Sequence, residues 1–241
     1  KLALLEKGLP FELQWPDVDT QDAEFLARSP RRELPVLIDG DVSMFQSSIM
    51  LQYIEERWPE PALLPPAAAE RARVRVLEEI CSTAYDAVNW GISEIVYFKR
   101  AGGELADQML VRARAQVAGL NARLERELST RPFFNGESLG FGDIVVYPFV
   151  NAAASLGYKP EGPRLAAWLK AFRGRPSAAQ VKQDILTTLP RYAQRAEEVA
   201  SGKHKRQYRD HRVEWMLRTG GVDIVLAGMR EDNLRFSLDY E

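Results

Sequence analysis

The stretch Ser29–Ser48, SPRRELPVLIDGDVSMFQSS, decides how the chain is read. Two short apolar runs, PVLI and VSMF, flank Asp39-Gly40, and such a pair between apolar runs predicts a β-hairpin. Pro35 stands where the first strand begins. Gln46, Ser47 and Ser48 close the second strand and lead into SIMLQYIEERW, which places Ile49, Tyr53 and Ile54 on one helical face. Taken singly, each feature has a plain reading: Pro35 as a trans proline on an edge strand, and Ser47 as a helix N-cap.

Upstream, KLALLEKGLPFEL reads as the last turns of a helix stopped by Gly8 and Pro10 and leading into a strand. A chain that opens inside a helix is expected to continue before Lys1. Residues 1 to about 65 therefore alternate helical and strand signals, and the proline-rich PEPALLPP reads as a linker. From Ala67 the pattern turns helical. Val74, Leu77, Cys81, Ala84, Val88, Ile92 and Ile95 recur at steps of three and four, and after Gly102-Gly103 so do Leu110, Ala113, Val117, Leu120, Leu124 and Leu128. Two more helices run through DIVVYPFVNAAASLG and PRLAAWLKAFRGRP. The expected organisation is an α/β domain over 1–60, an all-helical domain over 67–180, and a C-terminal extension over 181–241. That extension is read as helical, interrupted at Pro190, with a basic segment.

Composition narrows the function. The chain has 241 residues, 46% hydrophobic and 27% charged, with a formal net charge of −2. This balance points to neither nucleic acid nor membrane as a partner. One cysteine, Cys81, rules out an internal disulfide and fits a reducing compartment. Two histidines and that cysteine offer little for a transition-metal site.

A small α/β half, this hairpin and a helical half together resemble the cytosolic glutathione transferase family, over roughly residues 1 to 180. The implied fold is α/β plus all-α: a thioredoxin-like N-terminal domain whose first strand is missing from the chain, then a helical bundle. In the family an aliphatic residue precedes a cis-proline, matched by Leu34-Pro35, and the turned-out backbone of Leu34 would bind the cysteinyl unit of glutathione like an added strand. Gln46-Ser47 matches the acidic-or-Gln plus Ser signature. Ser47, at a helix tip, would hold the γ-glutamyl carboxylate, while Gln46 would face its ammonium or the neighbouring backbone. FFNGESLGFGDIVVYPFV resembles the segment entering the sixth helix, normally a Ser/Thr-x-x-Asp capping box. Asp143 is present, but Gly140 replaces the hydroxyl, so half of that cap is expected to be lost.

The resemblance implies an enzyme that uses glutathione as co-substrate, without metal, and activates its thiol toward a small hydrophobic electrophile. A cytoplasmic homodimer is expected, and Tyr85 and Trp90 fall near the electrophile cleft as core or cleft wall. Three departures leave a rival open. Glu33 occupies the position that often pairs with the glycine carboxylate; Arg31 or Arg32 would compensate, or Glu33 would point to solvent. The thiol-activating Ser, Tyr or Cys would precede Lys1, so the catalytic residue is unknown. The extension offers Lys203, Lys205, Arg206, Arg209, Arg212 and Arg218, either as a solvated basic helix packed back by Trp215 and Met216 or as a face for an acidic protein partner. The rival is a non-catalytic adaptor, a role taken by some bacterial members of the family.

Overall fold

The computed structural model describes residues 1–15 and 23–236. The α/β half contains α1 (Leu2–Glu6), α2 (Ala23–Arg28), the strands β1 (Val36–Asp39) and β2 (Val42–Phe45), and α3 (Ser47–Arg57). The strands pair antiparallel with Val36 opposite Phe45 and Asp39 opposite Val42, so the two-residue turn is Gly40-Asp41. Gly40 takes φ +58°, which glycine adopts without a Cβ penalty. The strand expected after Pro10 does not form. Residues 9–15 have no ladder partner among the described residues, and an unpaired extended segment is not a strand.

The proline-rich linker is tied down. The Glu55 carboxylate on α3 accepts the Leu63 and Leu64 N–H groups, each at 2.9 Å, and pairs with the buried Lys7 ammonium at 2.8 Å. Lys7 also donates to the Trp58 and Pro61 carbonyls, so its buried charge is fully hydrogen-bonded.

The helical half is built from α4 (Ala68–Ile80), a π-turn (Cys81–Tyr85) that continues into α5 (Asp86–Val96), α6 (Gly103–Leu128), α7 (Phe141–Ser155) and α8 (Pro163–Arg173). The apolar stripes identified in the sequence meet in one core, with Val74, Leu77, Val88, Ile92, Ala113 and Val117 at most 1% exposed. The missing hydroxyl at Gly140 has a substitute. Asn135 accepts the Gly142 N–H at 3.0 Å and donates to the Leu63 carbonyl at 2.6 Å, while the Asp143 carboxylate accepts the Gly140 N–H at 3.1 Å. The start of α7 is therefore capped from both sides, contrary to the expectation of half a cap.

Beyond this core, α9 (Pro176–Ala200) runs unbroken through Pro190. Pro190 removes the donor to the Leu186 carbonyl, but Leu186 lies at an exposed position where water can replace it. The basic segment is a helix only in its second part, where Arg212 and Arg218 lie on α10 (Asp210–Thr219). Its first part forms β3 (Arg206–Tyr208), which pairs in parallel with β4 (Leu234–Phe236) across the crossover of α10 and α11 (Val222–Arg230). A parallel pair needs such a crossover, and here two helices supply it.

Candidate functional site

The residues that lead into the hairpin, Leu34 and Pro35, face solvent. Leu34-Pro35 is a cis peptide bond, and Leu34 is 48% exposed. Its backbone N–H and C=O have no hydrogen-bond partner among the described residues. Across the hairpin, Ser47 begins α3 at an exposed position, and no side chain caps that helix. Two non-glycine residues in the left-handed region bracket the edge, Arg32 at φ +52° and Gln46 at φ +75°. Such backbones are costly, and they gather where a ligand is held.

Glu33 neither points to solvent nor faces outward across the edge. Its carboxylate accepts from Gln46 Nε2 at 2.9 Å and from Gln207 Nε2 at 2.5 Å. The Ser29 hydroxyl accepts the Glu33 N–H and donates to the Glu33 carbonyl, both at 2.9 Å. Arg235 on β4 donates to the carbonyls of Arg31 and Arg32 at 2.8 and 3.2 Å. The C-terminal segment thus lies against the Arg31–Glu33 loop, and sequence reasoning missed both Gln207 and Arg235.

The same segment covers α5. Tyr208 packs edge-on against Trp90, with ring centroids 4.7 Å apart. The fully buried Glu94 pairs with Arg206, whose guanidinium lies 3.8 Å from the centre of the Phe98 ring. Two turns earlier on α5, Asp86 accepts from His211 and Arg212 at 2.9 Å each. Burial pushes the Asp86 carboxyl up, but the hydrogen bonds from His211 and Arg212 outweigh it and hold the group below the usual range. Trp215 then rests on Gly91, and its indole N–H donates to Gln116 at 2.6 Å.

The structure separates the two residues assigned to the electrophile cleft. Tyr85 is a core side chain, fully buried, and its hydroxyl donates to Asn121 at 2.9 Å. Trp90 is 8% exposed and packs against Tyr208 of β3. Cys81 is fully buried and its thiol is pushed up to about 12, mainly by burial, so it is no thiolate at neutral pH. Of the basic residues in the extension, Lys205 pairs with Asp232, Arg206 with Glu94, Arg212 with Asp86 and Arg218 with Glu214. Much of that charge is therefore neutralised within the chain. A hollow of 440 Å³ lined by Gln116, Arg123, His211 and Trp215 shares no residue with the Leu34–Ser47 edge.

Signals for the missed contacts were local and faint. Gly91 and Glu94 fall among the buried residues of α5, and both mark where α10 and β3 dock.

Comparison with known proteins agrees with the fold. Residues 1–62 match the glutathione S-transferase N-terminal domain, and residues 66–171 match the glutathione S-transferase C-terminal domain. A glutathione S-transferase of Pseudomonas putida is 31% identical over 218 residues, covering 84% of this chain and 92% of that one. A stringent starvation protein A homolog of Haemophilus ducreyi is 32% identical over 114 residues, 46% of this chain and 53% of that protein. Rice GST1, solved in complex with glutathione, superposes with a TM-score of 0.61 at 30% identity, covering 74% of this chain and 82% of that one. Hairpin edge, helical core and both matched domains lead to one assignment: the chain belongs to the glutathione S-transferase family.

Proposed function

We propose that the chain is a glutathione transferase that lays glutathione along the Leu34–Ser47 edge. The observation that carries this reading is an exposed, unpartnered Leu34 backbone set across from an exposed helix tip that no side chain of the protein caps. An extended peptide can pair with the first, and a carboxylate suits the unpaired N–H groups and dipole of the second. Leu34 and Pro35 would hold the cysteinyl unit, while Ser47 and Gln46 would hold the γ-glutamyl end. Arg32 is the cation assigned to the glycine carboxylate, because Glu33 is engaged with two amides. The thiolate sulfur would attack an electrophilic carbon, displacing a leaving group or adding across a double bond, with rate gained from thiol activation and proximity. A homodimer is part of the proposal, as is a small electrophile, since Tyr208 and Arg206 fill the space over Trp90.

That filled space, with the similarity to a stringent starvation protein A homolog, favours a second reading in which the chain binds glutathione or protein partners without turnover. Thermal unfolding with glutathione separates the outcomes. Ligand at about a hundred times its Kd adds roughly 2.7 kcal/mol of stability. Ser47→Ala should reduce that gain. An unchanged transition at millimolar glutathione refutes the glutathione-binding reading, and a shift without consumption of model electrophiles selects the non-catalytic one.

A further inference from the structure

We infer that the C-terminal segment completes the glutathione site through a chain of hydrogen bonds, Gln207 to Glu33 to Gln46, that fixes which end of the Gln46 amide meets the ligand. The inference rests on the glutathione reading above and goes beyond it.

The chemistry of Glu33 carries the argument. An ionised carboxylate only accepts hydrogen bonds. Both glutamines that reach it must therefore turn their NH2 groups toward it, as Gln46 does at 2.9 Å and Gln207 at 2.5 Å. The side-chain oxygen of Gln46, Oε1, is then left with no donor among the described residues, next to Ser47 at the start of α3. An amide held in this sense accepts from a donor and turns away an acceptor. At the γ-glutamyl end of the peptide the available donor is the α-ammonium. Glu33, which at first looks misplaced opposite a carboxylate ligand, serves instead to orient Gln46.

The extension keeps Glu33 in place. Gln207 occupies the second carboxylate oxygen, and Arg235 pins the Arg31 and Arg32 carbonyls on the same loop. Gln207 is itself held, because its neighbours Arg206 and Tyr208 are anchored on Glu94 and Trp90. Glu33 and Gln207 are positioning residues; neither needs to touch glutathione.

The test is discrimination, read by calorimetric titration of the full chain with glutathione and with glutaryl-cysteinyl-glycine, which lacks only the α-amino group. The unaltered chain should favour glutathione about tenfold or more, the worth of one charge-assisted hydrogen bond. Glu33→Gln lets the Gln46 amide turn over and should bring that preference below about threefold, chiefly by weakening glutathione. Gln207→Ala leaves the acceptor but loosens it and should give an intermediate ratio. If both variants weaken the two ligands equally, Glu33 and Gln207 are merely structural and the inference is overturned. A Gln207→Ala ratio equal to that of the unaltered chain overturns it too, by removing the extension from the chain of bonds. If the unaltered chain binds glutathione without preferring it over the analogue, the inference falls and the glutathione reading stands. Absence of glutathione binding defeats both.

Discussion

Gly91→Ala is the sharpest probe of how the extension sits. A Cβ at position 91 would lie 2.3–2.5 Å from three ring carbons of Trp215, where ordinary contact needs well over 3 Å. The ring is not free to slide, because its N–H is committed to Gln116 and Trp215 is 5% exposed. Two effects oppose each other. Replacing a mid-helix glycine by alanine gains about 1 kcal/mol of helix stability, whereas forcing a methyl into a packed site costs about 1–3 kcal/mol. Overpacking should win, giving a net loss of up to roughly 2 kcal/mol by these magnitudes, concentrated in α10. The check is a double-mutant cycle by denaturant unfolding, with hydrogen exchange reporting on 210–219. In a Trp215→Leu background the clash is gone, and Gly91→Ala should become stabilising by roughly 1 kcal/mol. A change of sign between the two backgrounds is the expected result. If Gly91→Ala stabilises the chain with Trp215 intact, α10 does not dock on α5 as described, and the cover over Trp90 loses its footing.

Asn135→Ala should cost about 1–3 kcal/mol by leaving the Gly142 N–H at the start of α7 without its acceptor. In the unaltered background Gly140→Ser should also destabilise, since its Cβ would fall 1.9 Å from Asn135 Nδ2; unfolding of the two single variants and the double variant checks both. Glu78 is raised to about 7, chiefly by burial, so the folded state binds protons more tightly than the unfolded one and stability falls as pH rises from about 4.5 to 7. Glu78→Gln should therefore stabilise at pH 8 and change little at pH 5, which urea unfolding at the two pH values tests. Asp86 and Glu6 behave in the opposite sense. Burial raises each, but bonds from His211 and Arg212, and from Arg175 and Ser177, win and leave both depressed. Their contribution is complete above the ordinary carboxylate values and is lost as pH falls through the lowered folded ones. Exchange protection of α9 and α10 should drop below about pH 4, before the α4–α8 core melts.

Much of this was legible in short windows of sequence. The hairpin announced itself because Asp39-Gly40 sits between two apolar runs. The helical half was visible because its core stripe repeats at the helical period, so Val74, Leu77 and Val88 could be assigned to the interior before any packing was known. The pair Leu34-Pro35 and the tip at Ser47 were readable for the same reason: each is a local backbone feature written by adjacent residues.

Tertiary structure alone decided how the last quarter of the chain packs. Gln207 reaches Glu33 across 174 residues, and β3 finds β4 only after two helices have brought it alongside. No periodicity encodes such a pairing, because a hydrogen bond between distant residues depends on where whole elements dock and not on the spacing of their neighbours. The basic segment shows the limit most plainly. Read alone it is a run of cations, yet Glu94 and Asp86, more than a hundred positions earlier, neutralise Arg206 and Arg212 and turn a charged tail into a cover packed on α5.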